Sequence, residues 1–71
     1  MLLAKLTVKN VKDYSIVSKL TEYSVDDKVV VDIYDRCQLD VPSILFAKCL
    51  DMLYTRNIKF EITGYYDTTE D

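Results

Sequence analysis

The chain has 71 residues with a net charge of −3, one glycine, one proline, two cysteines and no histidine. This length fits one small domain, and the acidic, dispersed charge argues against nucleic-acid binding, which uses a basic patch. The lack of histidine excludes catalysis that depends on imidazole and most catalytic zinc sites.

The first predicted element is a strand with one apolar face. Its apolar side chains recur at every second position, at Leu2, Ala4, Leu6 and Val8. This period of two is typical of a strand that buries one side. Asn10 follows as a candidate N-cap, and the helical spacing of the next apolar residues predicts a helix over about 11–22.

The second predicted strand covers residues 29–34 and begins with three consecutive valines. We expect the residues from Asp35 to Gln38 to form a short loop that leads into a helix. An alternative stays open, in which Asp35-Arg36 forms a hairpin and adds an antiparallel strand to the sheet.

A second helix is predicted after this loop. Asp40 is the candidate N-cap, and Pro42 falls in the first turn, where a missing N–H group is tolerated. Asn57 is the candidate left-handed residue that ends the helix. The inward stripe of this helix is predicted to consist of Leu45, Phe46, Cys49, Leu50, Met52 and Leu53.

The third predicted strand alternates strictly over residues 58–63 and ends at Gly64. The residues that follow are acidic and contain two tyrosines. We therefore predict a single domain over residues 1–64 and a flexible C-terminal tail over residues 65–71.

The alternation in the first and third strands predicts that only one face of the sheet is buried. Both helices must then cover that face, and right-handed crossovers that keep them there give the strand order 1-2-3. The predicted fold class is α/β: a two-layer β-α-β-α-β sandwich with a three-stranded, mainly parallel sheet and both helices on one face.

Residue types that carry catalysis are scarce in this chain. A single glycine excludes a Gly-rich phosphate loop, and we expect Cys37 and Cys49 to be buried thiols in a reducing compartment. Asp32 and Asp40 form a candidate Mg²⁺-binding pair, but no third ligand accompanies them. We therefore expect a protein that is not an enzyme and has no cofactor and no metal.

Tyrosines give the clearest sequence indication of a binding surface. Tyr34, Tyr65 and Tyr66 are expected to be exposed near one end of the sheet, and exposed tyrosines are enriched in protein interfaces. Ser43 falls in the first turn of the second helix, where backbone N–H groups favour negative charge. Together with Asp40 these residues form the predicted partner-binding surface, and phosphorylation of Ser43 stays an open question.

A strand that ends in Asp32-Ile33, a Leu39-Asp40 pair that opens a helix, and a final strand that ends at Gly64 follow one another almost without gaps. This succession resembles STAS domains of the anti-anti-sigma-factor type. The family's Asp-Ser-Ser-Gly motif reads Asp40-Val41-Pro42-Ser43 here, so both serine positions of the family are lost. The resemblance implies an α/β fold and regulation through contact with another protein.

The segment Leu-Asp-Val-Pro-Ser-Ile-Leu at residues 39–45 also resembles the regulatory-serine segment of HPr phosphocarriers, with Ser43 at the regulatory serine. Those carriers accept a phosphoryl group on histidine, and this chain has none. A carrier function is therefore excluded, and the STAS-like interpretation is preferred.

These observations predict a small, non-enzymatic regulatory or adaptor domain that acts through protein–protein contact in the cytoplasm. An alternative is a small accessory protein of viral or phage type that inhibits a host enzyme or nucleic-acid machine. Homodimer formation through the open sheet face or an edge strand is a further alternative. We expect neither direct nucleic-acid binding nor membrane insertion, because no stretch is long and apolar enough to cross a bilayer.

Overall fold

The computed structural model describes residues 1–68. It contains four strands, two α-helices and one turn of 3₁₀ helix over Val25–Asp27. In chain order the principal elements are β1 (Leu2–Val8), α1 (Tyr14–Tyr23), β2 (Val29–Val31), β3 (Cys37–Pro42), α2 (Ser43–Thr55) and β4 (Phe60–Asp67).

The four strands form one sheet in the order β2-β3-β1-β4, and every neighbouring pair is antiparallel. β1 and β2 run in the same direction but are separated by β3, which is inserted between them. The same holds for β3 and β4, which β1 separates. This arrangement of two split β-α-β units is the ferredoxin-like topology.

The predicted three-stranded, mainly parallel sheet is therefore wrong. Residues 37–42 form β3 instead of a loop and a helix start. Only five residues connect β2 to β3, and parallel strands need a much longer crossover. The alternative in which Asp35-Arg36 forms a hairpin with an extra antiparallel strand is confirmed.

Both helices pack on one face of the sheet, as the alternation in the strands predicted. The sheet contributes Leu6, Val8 and Val41 to a shared core, and the helices contribute Leu20 and Leu53. Each of these side chains is at most 1% exposed. Burial of one such side chain contributes about 1.5–3 kcal/mol. The other face of the sheet is open.

The helix boundaries differ from the prediction at their N-termini. Asp13, not Asn10, caps α1, and its carboxylate accepts the Ser15 N–H at 2.9 Å. Pro42, not Asp40, precedes the first residue of α2 and provides no side-chain cap.

The end of α2 agrees with the prediction. Asn57 adopts the left-handed backbone conformation with φ 55°. The N–H of Asn57 bonds to the carbonyl of Tyr54, and the N–H of Ile58 bonds to that of Leu53. These two hydrogen bonds form a Schellman motif, which satisfies carbonyl groups that the helix end leaves free.

The last strand is longer than predicted. β4 continues through Gly64 to Asp67, so residues 65–67 of the predicted flexible tail belong to the sheet. The amino group of Met1 forms an ion pair with Asp67 at 3.0 Å, and the Thr68 N–H bonds to the Met1 carbonyl. Residues 69–71 of the predicted tail lie outside the described residues.

No helix within residues 1–68 has the length and hydropathy that a membrane span requires.

Candidate functional site

The connection between β2 and β3 is a five-residue loop that we call the hairpin tip (Asp32 to Arg36). The Asp32 carboxylate organises it by accepting the backbone N–H of Tyr34 at 2.8 Å and that of Arg36 at 3.2 Å. An aspartate that accepts from the backbone two residues later forms an Asx turn. Asp32 therefore ends β2 and starts the loop.

Arg36 fixes the same carboxylate from the other side. Its Nε and Nη2 atoms both lie 2.7 Å from Oδ2 of Asp32. Its guanidinium also lies over the ring of Tyr34, 5.1 Å from the ring centroid. Partial desolvation acts to raise the pKa of Asp32, but the hydrogen bonds from Tyr34 and Arg36 and the Arg36 charge outweigh it and lower that pKa.

The hairpin tip is also attached to the segment before α1. The backbone N–H of Val11 donates to the carbonyl of Asp35 at 2.8 Å, and Val11 is itself buried in the core. Asp35 adopts a left-handed conformation with φ 57°, which aspartate tolerates better than most residues. The loop thus has a defined backbone conformation and a fixed position on the domain.

Two large apolar side chains project from this fixed loop. Ile33 is 88% exposed and Tyr34 is 65% exposed. Val30 and Val31 of the adjoining edge strand β2 are also exposed. Exposed apolar groups on a pre-ordered backbone can enter a partner's pocket with little further loss of conformational entropy.

The structure separates the five predicted partner-binding residues. Tyr34 lies in the hairpin tip, next to the end of β1 at Val8. Tyr65 and Tyr66 pair with the opposite end of β1, and Ser43 is the exposed first residue of α2 after Pro42, which pairs with Leu3. Asp40 lies in the middle of β3 opposite Lys5. The single surface that the sequence predicted is thus at least two surfaces.

Asp40 and Tyr66 do come together, on the open face of the sheet. This face forms a shallow depression of about 770 Å³ that Lys5 also lines. The Lys5 ammonium lies 5.3 Å from the centroid of the Tyr66 ring. Partial desolvation, a hydrogen bond to the Asp40 carboxylate and its negative charge raise the pKa of Tyr66.

Tyr65 lies on the helix side of β4. Its ring makes an edge-to-face contact with Phe46 of α2, with a centroid distance of 6.1 Å. A similar contact at 5.4 Å joins Phe60 to Tyr54. These pairs attach α2 to the edge strand, so Tyr65 has a packing role even though it is 60% exposed.

The cysteines are free thiols buried in the core. Burial raises the pKa of Cys49 to about 11. Burial, followed by the negative charges of Asp35 and Asp32, also raises the pKa of Cys37. Both thiols are therefore protonated at neutral pH, the form that is not nucleophilic.

The proposed Asp32–Asp40 pair is not assembled as a cation site. The Asp32 carboxylate is occupied by Arg36, whereas Asp40 lies on the open face beside Tyr66. Within residues 1–68, no group of three or more acidic, cysteine or histidine residues is positioned to hold a metal ion.

Ile33, the most exposed apolar side chain of the hairpin tip, is not among the residues that the sequence predicted for a binding surface. It was assigned to a strand over residues 29–34, because three valines and an isoleucine suggested a continuous strand. The available signal was Asp32 followed four residues later by Arg36, an arrangement that closes a loop on itself through charge-assisted hydrogen bonds.

Fold and site define a small α/β protein with a four-stranded antiparallel sheet and an exposed, ordered apolar hairpin. No protein-family model, curated protein or solved structure matches the chain. The resemblances to STAS domains and HPr phosphocarriers therefore stay predictions.

Proposed function

We propose that this protein is a non-enzymatic cytoplasmic module that regulates or links other proteins by direct contact, and that the hairpin tip is its principal contact surface. The observation that supports this most strongly is the exposure of Ile33 and Tyr34, at 88% and 65%, on a loop fixed by hydrogen bonds. Exposing both side chains to water gives the isolated protein no stability.

The chemistry of the tip favours a protein partner with an apolar cleft. Tyr34 and the adjoining Ile33 supply apolar area. Arg36 is already paired with Asp32, so among the five tip residues only Asp35 carries a charge outside an ion pair. An interface with an apolar centre and few unpaired charges has this composition. The partner would accept Ile33 and Tyr34 in its cleft and contact β2 at the margin.

The open sheet face supports a nucleic-acid partner less well. RNA-binding sheets stack bases on aromatic side chains of their central strands. Here the central strands β1 and β3 place Lys5, Thr7, Gln38 and Asp40 on that face, without an aromatic side chain. The net charge of −3 also opposes binding to a phosphate backbone.

The test compares two isoleucines with similar exposure at different places in the fold. Ile33 is 88% exposed in the hairpin tip, and Ile44 is 84% exposed near the start of α2. Affinity capture and mass spectrometry with the wild-type chain identify a candidate partner, which is then purified and titrated against Ile33→Ser, Tyr34→Ser and Ile44→Ser.

We expect each tip variant to weaken binding about tenfold or more, the effect of removing a central interface side chain. Ile44→Ser should leave the affinity unchanged. A partner that binds the two tip variants as tightly as wild type would contradict the proposal, and so would binding lost equally with Ile44→Ser.

A further inference from the structure

We propose that the outer edge of β4 pairs with β4 of a second copy of this chain, antiparallel and around a two-fold axis. β4 has eight residues (Phe60–Asp67), more than any other strand of the sheet. It lies at the edge, and within residues 1–68 its only strand neighbour is β1. Such an edge presents a row of unpaired backbone N–H and C=O groups, which can pair with another chain.

A β-bulge in the middle of β4 interrupts the regular alternation of its residues between the two faces of the sheet. Lys5 of β1 pairs with Gly64, and the next residue, Leu6, pairs with Ile62, so Thr63 is the extra residue. Thr63 lines the open face together with Lys5. Thr63 and Gly64 therefore both lie on the open side, whereas neighbouring residues of a regular strand alternate.

As a consequence, the pattern of helix-facing and open-facing residues is the same from either end of β4. The helix face carries Phe60, Ile62, Tyr65 and Asp67. The open face carries Glu61, Thr63, Gly64 and Tyr66. Directly opposed residues of an antiparallel pair lie on the same face of the sheet. A two-fold axis between Thr63 and Gly64 satisfies this condition over the whole length of the strand.

This axis sets the residue pairs across the interface. Ile62 lies opposite Tyr65 of the second copy, and the symmetry repeats this contact. Ile62 is 37% exposed and Tyr65 is 60% exposed, so both have apolar surface left to bury.

No like charges are directly opposed in this register. Glu61 lies opposite Tyr66 of the copy, and Asp67 lies opposite Phe60. Like charges placed directly opposite one another would destabilise a strand pair, whereas aromatic and β-branched pairs stabilise it. Gly64 at the centre has no atom within 4 Å of an added Cβ position, which leaves room on the open face for the side chain of Thr63 of the copy. The result is an isologous dimer with one continuous eight-stranded sheet.

The register gives a specific cross-linking test. The variants Ile62→Cys and Tyr65→Cys are purified separately, mixed and oxidised mildly. We expect disulfide-linked heterodimers from the mixture and little cross-linking of either variant alone, because only the 62–65 pair is directly opposed and within disulfide reach. The native cysteines should contribute little background, since both are buried.

Sedimentation velocity at several concentrations provides the second measurement. We expect the wild-type chain to form a dimer, and Ile62→Lys to raise its dissociation constant about tenfold, because the change disrupts two symmetry-related contacts. Ile33→Lys introduces the same charge in the hairpin tip, at the opposite edge of the sheet, and should not change the dissociation constant. Circular dichroism confirms that both variants fold.

A wild-type chain that stays monomeric at every concentration would overturn the proposal. Cross-linking of Ile62→Cys with itself that is stronger than that of the mixture would also overturn it, because it would indicate another register. Neither result bears on the hairpin tip, which lies on the opposite edge strand of the sheet.

Discussion

Left-handed backbone positions in the described part of the chain are occupied by asparagine and aspartate. Among residues 1–68, five non-glycine residues have φ between 51° and 57°: Asn10, Asp26, Asp27, Asp35 and Asn57. These two residue types tolerate the left-handed region because their short polar side chains form local hydrogen bonds. The chain has a single glycine, and asparagine and aspartate provide the left-handed turn positions instead.

Gly64, the single glycine, does not use its conformational freedom. Its φ is not positive, and no atom lies within 4 Å of an added Cβ. We predict that Gly64→Ala raises the free energy of unfolding by about 0.4–1 kcal/mol, because alanine restricts the unfolded chain more than glycine does. Urea denaturation measures this difference.

Asn57→Ala provides the comparison of opposite sign. Alanine would have to adopt the left-handed conformation at that position, which costs about 1–2 kcal/mol and should lower the free energy of unfolding. If both alanine variants shift stability in the same direction, the backbone assignment of one position is wrong.

The Asp32 carboxylate gives a pH-dependent contribution to stability. Its pKa is lowered in the folded protein, so this contribution is complete above the unfolded pKa of about 3.9. It is lost as the pH falls through the lower folded value. We predict that Asp32→Asn is less stable than wild type at pH 7, and that the difference shrinks below about pH 4.

Denaturation of Asp32→Asn and wild type at a series of pH values tests this prediction. Asparagine keeps a side-chain oxygen for the Tyr34 N–H but removes the charge that Arg36 contacts. Asp13→Asn provides a comparison, because the pKa of its carboxylate is also lowered, by the Ser15 hydrogen bond at the N-cap of α1, and its stability difference should shrink in acid in the same way. A stability difference for Asp32→Asn that stays constant into acid would contradict the assigned ion pair.

At the scale of elements, the helices and strands with a strong local sequence pattern were predicted, whereas β3 was not. β1 was identified from its alternation, and the end of α2 from Asn57. In β3, Asp40 and Pro42 were interpreted as a helix cap and a first helical turn. The competing signal was the alternation of Cys37, Leu39 and Val41, which are all buried. The pairing of β3 with β1 and β2 outweighs the local preference of Asp40 and Pro42 for the start of a helix.

A pair of aspartate substitutions tests the assignment of β3. If Asp40 lies in a strand, Asp40→Val should change the free energy of unfolding by no more than about 0.5 kcal/mol, since valine suits a half-exposed strand position. Asp13→Val removes a true helix cap and should lower stability clearly and reduce the helical circular dichroism signal.

The result that would reverse this assignment is a loss of helicity with Asp40→Val and none with Asp13→Val. That pattern would place the cap of α2 at Asp40 and leave no room for the last residues of β3.

At the scale of the whole molecule, the fold separates residues that were predicted from the sequence to form one partner-binding surface. In the antiparallel sheet, the hairpin tip with Tyr34 lies at one end. Tyr65, Tyr66 and Ser43 lie toward the opposite end. The layer arrangement was predictable because it depends on alternation within single strands. The pairing of the strands was not, because it depends on which distant segments become neighbours.

The same distinction applies to the candidate site. Tyr34 was predicted to be exposed from its residue type and position, but its rigidity depends on Asp32, Arg36 and the contact between Asp35 and Val11. Those interactions exist only because residues 32–36 close a hairpin. The function we propose therefore depends on β2 and β3 being adjacent and antiparallel.

Nuclear Overhauser contacts between backbone protons of neighbouring strands test that arrangement most directly. We predict contacts from Lys5 in β1 to both Asp40 in β3 and Gly64 in β4, and from Val30 in β2 to Gln38 in β3. Contacts that join β1 directly to residues 29–31, with helical contacts over residues 40–42, would contradict it.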